Sequence, residues 1–438
     1  MSLPRFFSRV ADAIQPVAAI DAQALADHLE TVTIAIHAPS SAADSALETD
    51  AALLAVNLAA RLYPSIHLSG PGSWTDPAAN LARAINPDTD IYTDDEPPRS
   101  SKVVTLDWRS HPARSAHGPT VTVGADGWNA LVDPHETADR PATPLAALAA
   151  ATLGIAEVFR IAFADALGER GRRDRQPGGF NLITCGPPAA TAFPSGRIDR
   201  LPDAHLIGAG AIGQACLLAL LTDNKAAGLT VVDPHSTELS NLQRYVLMTD
   251  SDIGQAKTDL AVRAANGSAV TITPVPTEWG ADLRTGPGTA RIVLTALDTA
   301  ADRIAVVAGL PRSAYDAWTQ PADVGWSRHE QFGSEPCLAC LYYPDHPRPN
   351  EHELIASALR QPPLRILTYV MTGTPVGTPL PHIAATADLP PPQMRAPGQA
   401  EPCSTTSSNS GSSKQLTVEN GQGSASVSFT EMAFAPGA

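Results

Sequence analysis

Short apolar runs separated by longer stretches of mixed polarity characterise the first part of the chain. Pro64 ends a stretch over 44–63 in which leucines recur at helical spacing, so this stretch predicts a helix. Thr143 followed by Pro144 is a typical helix start, and the apolar pattern predicts a long helix over 144–167. Outside these stretches, aliphatic and β-branched runs predict strands at 31–36, 65–68, 103–108 and 120–123. The alternation of strands and helices indicates an α/β domain.

A second alternation of strands and helices begins near residue 204. Its apolar runs predict strands at 205–207, 229–232 and 292–296. The segment 169–179 is charged and contains glycine and proline, which is typical of a linker. Beyond Glu401 the chain is rich in Ser, Thr, Gly and Asn, a composition that predicts disorder. The predicted organisation is therefore an α/β domain, a linker, a second α/β domain and a disordered tail, over 1–170, 171–200, 201–400 and 401–438.

A glycine-rich turn follows the predicted strand 205–207. Gly208, Gly210 and Gly213 form the pattern GxGxxG between a strand and a helix. In this setting the first glycine permits a tight turn, the second lets backbone amides approach a phosphate, and the third lets helix and strand pack closely. Asp233 follows the next strand, where a carboxylate can accept hydrogen bonds from ribose hydroxyls. The pattern predicts nucleotide binding but does not distinguish a dinucleotide from ATP.

Polar residues after Asp233 favour a triphosphate. Arg244 and Lys257 supply cations of the kind that neutralise charge moving onto pyrophosphate, and Asn241 lies just before them. Asp298 follows a later predicted strand, and a carboxylate at a strand end is a natural Mg²⁺ ligand. A dehydrogenase that transfers hydride has no need of these cations. The predicted cofactors are ATP and Mg²⁺.

The region from Gly208 to Cys340 resembles the ThiF/MoeB/HesA family, the adenylating domain of ubiquitin-activating enzymes and their bacterial relatives. The matching strings are GAGAIG, VVDPHSTELSNLQR, DIGQAK, LTALDTAADR and PCLACL. The resemblance implies a Rossmann-like, ThiF-type adenylation fold. It also implies ATP-dependent adenylation of the C-terminal carboxylate of a ubiquitin-like or sulfur-carrier-like small protein, which gives an acyl adenylate and pyrophosphate.

The resemblance also assigns roles to residues. It implies that Asp233 holds the ribose, that Asn241, Arg244 and Lys257 surround the phosphates, and that Asp298 is associated with Mg²⁺. Arg244, Lys257 and Asp298 are the predicted catalytic residues. The chain departs from the family pattern in several places, since Tyr245 stands where the family often has Gln and His235 where an Asp is common. The second CxxC pair that the family often carries is missing, and no closing strand and helix are recognised after Glu401.

The domain before Gly208 contains no glycine-rich phosphate loop. Its predicted helix over 144–167 is similar to the closing helix of adenylation domains, and two-lobed activating enzymes pair an inactive copy with an active one. The first domain is therefore interpreted as a smaller, degenerate adenylation-like lobe. A homodimer or a pseudo-dimer within one chain is the expected assembly.

Three roles remain open for the cysteines near the end of the second domain. Cys337 and Cys340 form a CxxC pair, which is half of a zinc site. A zinc site would be completed by His346, His352 or Cys403; otherwise the pair consists of ordinary thiols. The third interpretation makes one cysteine, with Cys403 as the candidate, a nucleophile that forms a thioester with the activated carboxylate.

Charge and composition exclude several classes of protein. The 30 Lys and Arg residues face 45 Asp and Glu, so the net charge of -15 disfavours nucleic-acid wrapping and binding to anionic membranes. Arg5, Arg9 and Asp12 interrupt any apolar signal-peptide core, and the apolar stretch 145–156 is too short to span a bilayer. An odd number of cysteines, five, favours reduced thiols. The sequence predicts a cytoplasmic protein.

Two rival functions use part of the same motif. An NAD(P)-dependent oxidoreductase would use the glycine turn and Asp233 but leave Arg244, Lys257 and Asp298 without a role. A catalytically impaired scaffold would bind nucleotide or a ubiquitin-like partner without chemistry. Exchange of pyrophosphate into ATP distinguishes the adenylating enzyme from both rivals.

Overall fold

The computed structural model describes most of the two α/β domains and little of the chain beyond residue 342. The described residues are 3–15, 18, 20–38, 46–93, 102–108, 118–134, 141–171, 178–190, 201–280, 290–320, 323–330, 336–342, 355–356, 359, 361–362 and 364–366, with the backbone of 413–420 and 423–430. The chain divides into two compact units, Met1–Leu341 with Ser412–Ala438, and Tyr342–Gly411. In the second unit, Ala356 and Ile366 are buried against each other. Both sheets lie in the first unit.

The first domain is a seven-stranded sheet with helices packed on it. Its helices are α1 (Phe7–Ile14), α2 (Ala22–Thr31), α3 (Ala46–Ala60), α4 (Gly72–Ile85), α5 (Pro144–Ala162) and α6 (Ala164–Leu167). Its strands are β1 (Val32–His37), β2 (Ser65–Ser69), β3 (Asp90–Tyr92), β4 (Lys102–Trp108), β5 (Thr120–Asp126), β6 (Asn129–Val132) and β7 (Gly178–Asn181). The strand order is β3-β2-β1-β4-β5-β6-β7, parallel from β3 to β5 and antiparallel at β6 and β7.

Helix α5 is the central helix of this domain. Thr143 caps it, since its Oγ1 accepts a hydrogen bond from the amide of Ala146 at 3.3 Å, and Pro144 occupies the first turn. The helix is long and apolar enough to cross a membrane, contrary to the expectation from residues 145–156 alone. In the structure it packs instead against α3 and strands β4 to β6. Gly154 allows this close approach, because a Cβ there would lie 2.6 Å from Val123 Cγ1.

The second domain is built on an eight-stranded sheet. Its helices are α7 (Ala211–Asp223), α8 (Lys257–Ala264), α9 (Ala300–Val307) and α10 (Leu338–Leu341). Its strands are β8 (Ala204–Ile207), β9 (Ala227–Val232), β10 (Val270–Val275), β11 (Ile292–Thr295), β12 (Ser313–Gln320), β13 (Asp323–Glu330), β14 (Ser413–Asn420) and β15 (Gly423–Thr430). The order is β10-β9-β8-β11-β12-β13-β15-β14, and the first five strands in this order are parallel. This is the Rossmann-like α/β architecture that the sequence predicts.

The two sheets share one topology. The first strand of each domain, β1 or β8, lies between the second strand (β2 or β9) and the fourth (β4 or β11). The third strand, β3 or β10, lies on the outer side of the second, and the fifth, β5 or β12, pairs in parallel with the fourth. A sixth strand then pairs antiparallel with the fifth, as β6 does with β5 and β13 with β12. The first domain therefore repeats the strand order of the second without its glycine-rich turn.

Strands β14 and β15 form where the sequence predicts a disordered tail. They pair with each other as an antiparallel hairpin, and β15 lies beside β13. The prediction of disorder over this segment is wrong because it relied on the high content of Ser, Gly and Asn. Apolar residues alternate with polar ones in β15, which is the period of a strand, and only two residues separate the two strands.

Candidate active site

The glycine-rich turn lies at the carboxyl end of β8. Gly208 has a φ of +91°, and a Cβ there would lie 2.5 Å from the carbonyl oxygen of Ala296, just beyond β11. A Cβ on Gly213 would lie 2.1 Å from the carbonyl oxygen of Gly208. Gly210 is the N-cap of α7, and no side chain among the described residues caps that helix end. The amides of its first turn are therefore available to an anion.

Asp233 connects β9 to this turn. Its carboxylate is 5% exposed; Oδ2 accepts a hydrogen bond from the amide of Ala209 at 2.8 Å, and Oδ1 accepts one from the amide of His235 at 2.9 Å. The imidazole of His235 is exposed, with Nδ1 3.2 Å from Oδ1. These contacts fix the carboxylate beside the glycine turn. Oδ2 accepts one hydrogen bond among the described residues, so it can still accept another from a ribose hydroxyl.

Lys257 and Arg244 flank one aromatic ring. Lys257 begins α8, and its Nζ lies 3.7 Å from Asp233 Oδ2 and 5.5 Å from the centroid of the Tyr245 ring. Cζ of Arg244 lies 5.3 Å from the same centroid. Both distances fall within the range of cation–π contacts. The two predicted phosphate-binding cations are thus brought together around Tyr245.

Tyr245 also reaches the glycine turn. It is buried, and its hydroxyl lies 3.5 Å from the point that a Cβ on Gly210 would occupy. From the sequence, Tyr245 is a departure from the family pattern that alters phosphate or water contacts, and it is not among the predicted site residues. The departure itself is the sequence signal that points to this residue, because Tyr245 directly follows Arg244, where the family pattern often has Gln. The structure adds Tyr245 to the candidate site.

Asn241 caps the turn that precedes Arg244. Its Oδ1 accepts a hydrogen bond from the amide of Glu238 at 2.9 Å, and the Glu238 side chain caps the same turn in return. This reciprocal cap stabilises a short 3₁₀ turn, Leu239–Gln243. Asn241 is buried, so in this structure its side chain organises the segment before Arg244. Its predicted contact with phosphate stays a prediction.

Asp298 follows β11, the strand next to β8. Its carboxylate is exposed and forms no hydrogen bond or ion pair with any residue that the structure describes. Because β8 and β11 are the strands where the chain order reverses, their carboxyl ends form the crevice in which such sheets bind ligands. One free carboxylate beside a phosphate cradle suits Mg²⁺, which is commonly held by one or two carboxylates and substrate phosphates.

A buried ion pair positions the Asp298 loop. Nη1 of Arg303, in α9, lies 2.7 Å from Asp316 Oδ2 in β12, and both side chains are buried. Arg303 Nε also donates a hydrogen bond to the carbonyl oxygen of Leu297 at 2.9 Å. Sequence reasoning used Arg303 only as part of a motif string and did not identify Asp316. Their pairing fixes the main chain directly before Asp298.

The CxxC pair has the spacing of two ligands of one metal ion. The Sγ atoms of Cys337 and Cys340 lie 3.7 Å apart. Two Zn–S bonds of about 2.3 Å at a tetrahedral angle place the sulfurs about 3.8 Å apart. Among the described residues no group of three or more His, Cys, Asp or Glu side chains could hold a metal. The residues predicted to complete the site lie outside the described part of the chain: His346, His352 and Cys403.

Among the described residues, Cys185, Cys216 and His329 are poorly suited to bind a metal or act as nucleophiles. Both ring nitrogens of His329 are engaged, Nε2 with Ser327 Oγ at 2.8 Å and Nδ1 with the carbonyl oxygen of Pro336 at 2.9 Å. Burial raises the pKa of the Cys216 thiol to about 11 and also raises the pKa of Cys185. Thiols with raised pKa values are poor nucleophiles at neutral pH. The chain has no cysteine before Cys185, which follows the last strand of the first sheet.

Zinc binding by the CxxC pair is directly testable. We expect protein purified without chelator to contain about one zinc per chain, because two thiolates at this separation supply half of a tetrahedral site. Elemental analysis measures the metal, and the Cys337→Ser variant should lose it while Cys216→Ser, at a buried thiol, should keep it. Equal and negligible zinc in all three proteins would show that the pair consists of plain thiols.

Comparison with known proteins places two family models on the chain. Residues 197–373 match the ThiF family model, and residues 38–164 match the model described as Prokaryotic E2 family C. An uncharacterized protein of Sinorhizobium fredii, y4jF, is 35% identical over 361 residues, which cover 80% of this chain and 68% of that protein. Ubiquitin-like modifier-activating enzyme 7 of Homo sapiens is 36% identical over 96 residues, 20% of this chain and 10% of that enzyme.

Solved structures give a weaker likeness. A crystal structure of E. coli MccB with succinimide is 22% identical, covers 26% of this chain and 36% of that chain, and has a TM-score of 0.24. The chain thus spans about a third of that protein and a tenth of the human enzyme. The match over residues 38–164 is to a family other than the one matched by the second domain, although the two sheets share a strand order.

Proposed function

Because the chain belongs to the ThiF family, we propose that it is an ATP-dependent adenylating enzyme acting on the C-terminal carboxylate of a ubiquitin-like or sulfur-carrier-like protein. The observation that carries the proposal is the convergence of five groups at one sheet edge. The uncapped glycine turn, Asp233, Lys257, Tyr245 and Arg244 meet there. An oxidoreductase needs only the first two.

The proposed reaction activates a poor electrophile. An oxygen of the partner's terminal carboxylate forms a bond to the α-phosphorus of ATP, and the bond from that phosphorus to the bridging oxygen of pyrophosphate breaks. The products are an acyl adenylate and pyrophosphate. The attacking carboxylate is already ionised at neutral pH, so no side chain has to act as a general base. Rate enhancement comes from positioning and from neutralising charge.

Each residue has a proposed task within this reaction. Asp233 holds the ribose, and the amides of the glycine turn bind a phosphate. Lys257 and Arg244 bind the β- and γ-phosphates, and Tyr245 orients both cations. When bound, Mg²⁺ supplies positive charge for the departing pyrophosphate, and Asp298 is the residue that would hold it.

The first domain is proposed to be an adenylation-like lobe without a phosphate loop. The support is the strand order that it shares with the second domain, and one chain would then be a pseudo-dimer. The match of residues 38–164 to Prokaryotic E2 family C is the competing interpretation. Under either interpretation, the absence of cysteine before Cys185 assigns any thioester step to another part of the chain or to another protein. The proposed setting is the cytoplasm, where thiols are reduced.

Nucleotide preference tests the proposal against its oxidoreductase rival. We expect ATP with Mg²⁺ to bind at least tenfold more tightly than NAD, about 1.4 kcal/mol, because two cations face the phosphates. Calorimetric titration of both nucleotides gives the comparison. A preference for NAD would exclude adenylation.

Exchange of labelled pyrophosphate into ATP tests the reaction itself. The carboxylate partner is first sought as a small protein that co-purifies with the chain and ends in Gly-Gly or a similar flexible tail. Exchange that depends on this partner is the expected result. Tight ATP binding without exchange would instead identify a nucleotide-binding scaffold.

A further inference from the structure

The segment that carries Arg244 is anchored in the core of the first domain. The side chains of Leu242, Tyr245 and Met248 are buried in the same apolar cluster as the faces of α3 and α5. They are absent from the two clusters that form the core of the second domain. The segment 242–248 therefore belongs to the second domain in sequence, but three of its side chains pack in the apolar cluster of the first domain, while Leu247 packs against the second.

Two polar side chains of the first domain bind the main chain of this segment. Arg61, directly after α3, donates hydrogen bonds from Nη1 to the carbonyl oxygen of Leu242 at 2.6 Å and from Nη2 to that of Met248 at 3.0 Å. Asn57, one turn earlier, donates from Nδ2 to the carbonyl oxygen of Val246 at 2.9 Å. The Nε of Arg61 donates to Asn57 Oδ1 at 3.0 Å, which links the two side chains.

The charge of Arg61 has an unusual environment. The side chain is 3% exposed, and no carboxylate among the described residues pairs with it. Burial lowers the pKa of its guanidinium to about 9, which still leaves it protonated at neutral pH. A buried charge without a counter-ion is expensive to maintain, and here carbonyl dipoles alone compensate it. A lysine or a neutral side chain could fill the space but could not hold both ends of the segment.

From this geometry we infer that Arg61 and Asn57 are positioning residues, which hold the segment 242–248 so that Arg244 and Tyr245 face the phosphates of ATP. The inference rests on the proposed function. Arg61 touches the first and last carbonyls of the segment, so it fixes the main chain on both sides of Arg244. The first domain thereby helps to determine the phosphate-binding half of the site, whereas the hydrogen bonds that hold the Asp233 carboxylate come from the second domain, from the amides of Ala209 and His235.

This division gives a readout that separates positioning from general stability. AMP uses the ribose and α-phosphate contacts, whereas ATP also uses Arg244 and Lys257. Loss of positioning should weaken ATP binding and spare AMP binding. A general loss of structure would weaken the binding of both nucleotides.

The test compares Arg61→Met, Arg61→Lys and Asn57→Ala with Arg83→Met, a matched change at an exposed arginine of α4. Calorimetry with ATP and with AMP, both with Mg²⁺, measures the two affinities. We expect Arg61→Met to weaken ATP binding about tenfold or more, as for loss of hydrogen bonds to a charged group, and to leave AMP binding unchanged. Arg61→Lys should recover part of the ATP affinity, because it restores the charge but reaches fewer carbonyls.

Amide hydrogen exchange supplies the second measurement. Exchange over residues 242–248 should accelerate in Arg61→Met and remain at the wild-type rate in Arg83→Met. If Arg61→Met does not fold, Asn57→Ala, which removes a single carbonyl bond, gives the same comparison of ATP with AMP. Faster exchange with an unchanged preference for ATP, or equal losses of ATP and AMP affinity in a folded variant, would overturn the inference. A wild-type protein without any preference for ATP over AMP would instead overturn the proposed function beneath it.

Discussion

Asp298→Asn should retain ATP affinity within several-fold and lose about two orders of magnitude in the rate of adenylate formation. Asparagine keeps the size of the side chain and its reach for hydrogen bonds but removes the negative charge. The side chain of Asp298 is exposed and unpaired among the described residues, so its removal should not disturb the fold. Its charge matters most as pyrophosphate departs, because Mg²⁺ is held most strongly by the transition state.

The measurement is pyrophosphate exchange at saturating ATP with the carboxylate partner present. Asp259→Asn, at an exposed aspartate in the first turn of α8, is the matched control and should exchange at the wild-type rate. Circular dichroism establishes that both variants fold. Unchanged exchange in a folded Asp298→Asn protein would show that the catalytic assignment is wrong even if the nucleotide site is right.

Lys257→Met should lower both ATP affinity and the rate of exchange, the rate by about a hundredfold to a thousandfold. Methionine preserves the apolar stem and removes the ammonium group, which lies 3.7 Å from Asp233 Oδ2 in a pocket where the lysine is 12% exposed. Affinity and rate both fall because the ammonium group serves two partners. Its removal takes the nearest cation from the buried carboxylate of Asp233 and also takes a cation from the phosphates of ATP. An arginine at this position should not restore activity, since its planar fork does not fit a site shaped around Nζ.

Lys225→Met provides the comparison for this variant, because Lys225 lies just after α7, pairs with Asp223 at the end of that helix, and contacts none of the described site residues. Titration with ATP and exchange at saturating ATP separate the two effects of Lys257→Met. A variant that loses affinity but keeps its maximal rate would assign Lys257 to ground-state binding alone.

Features determined by neighbouring residues could be predicted from sequence. Thr143 and Pro144 define the start of α5, which begins at Pro144 itself. The glycine pattern with Asp233 identifies the turn between β8 and α7. In both cases the residues that determine the feature lie within a few positions or one strand of it. The ThiF-type fold of the second domain was identified in this way and is confirmed by its strand order and family match.

Features determined by distant residues could not be predicted. The bond from Arg61 to the carbonyl of Leu242 spans 181 positions, and no local pattern marks an arginine as a ligand of main-chain carbonyls. The pairing of Arg303 with Asp316 likewise depends on how α9 lies over β12. Asn241 was expected at the phosphates because of its motif, whereas the reciprocal cap with Glu238 depends on local backbone geometry. The motif therefore identifies the segment, whereas the local hydrogen bonds of each side chain in it are seen only in the structure.

The burial of Leu242 and Met248 in the first domain also has a consequence for biosynthesis. Chains fold from the N-terminus as they leave the ribosome, so the first sheet and its helices emerge well before these two side chains do. Until then the apolar face that receives them is exposed to water, together with the guanidinium of Arg61. The first domain thus completes its apolar core only after the segment that carries Arg244 has been synthesised.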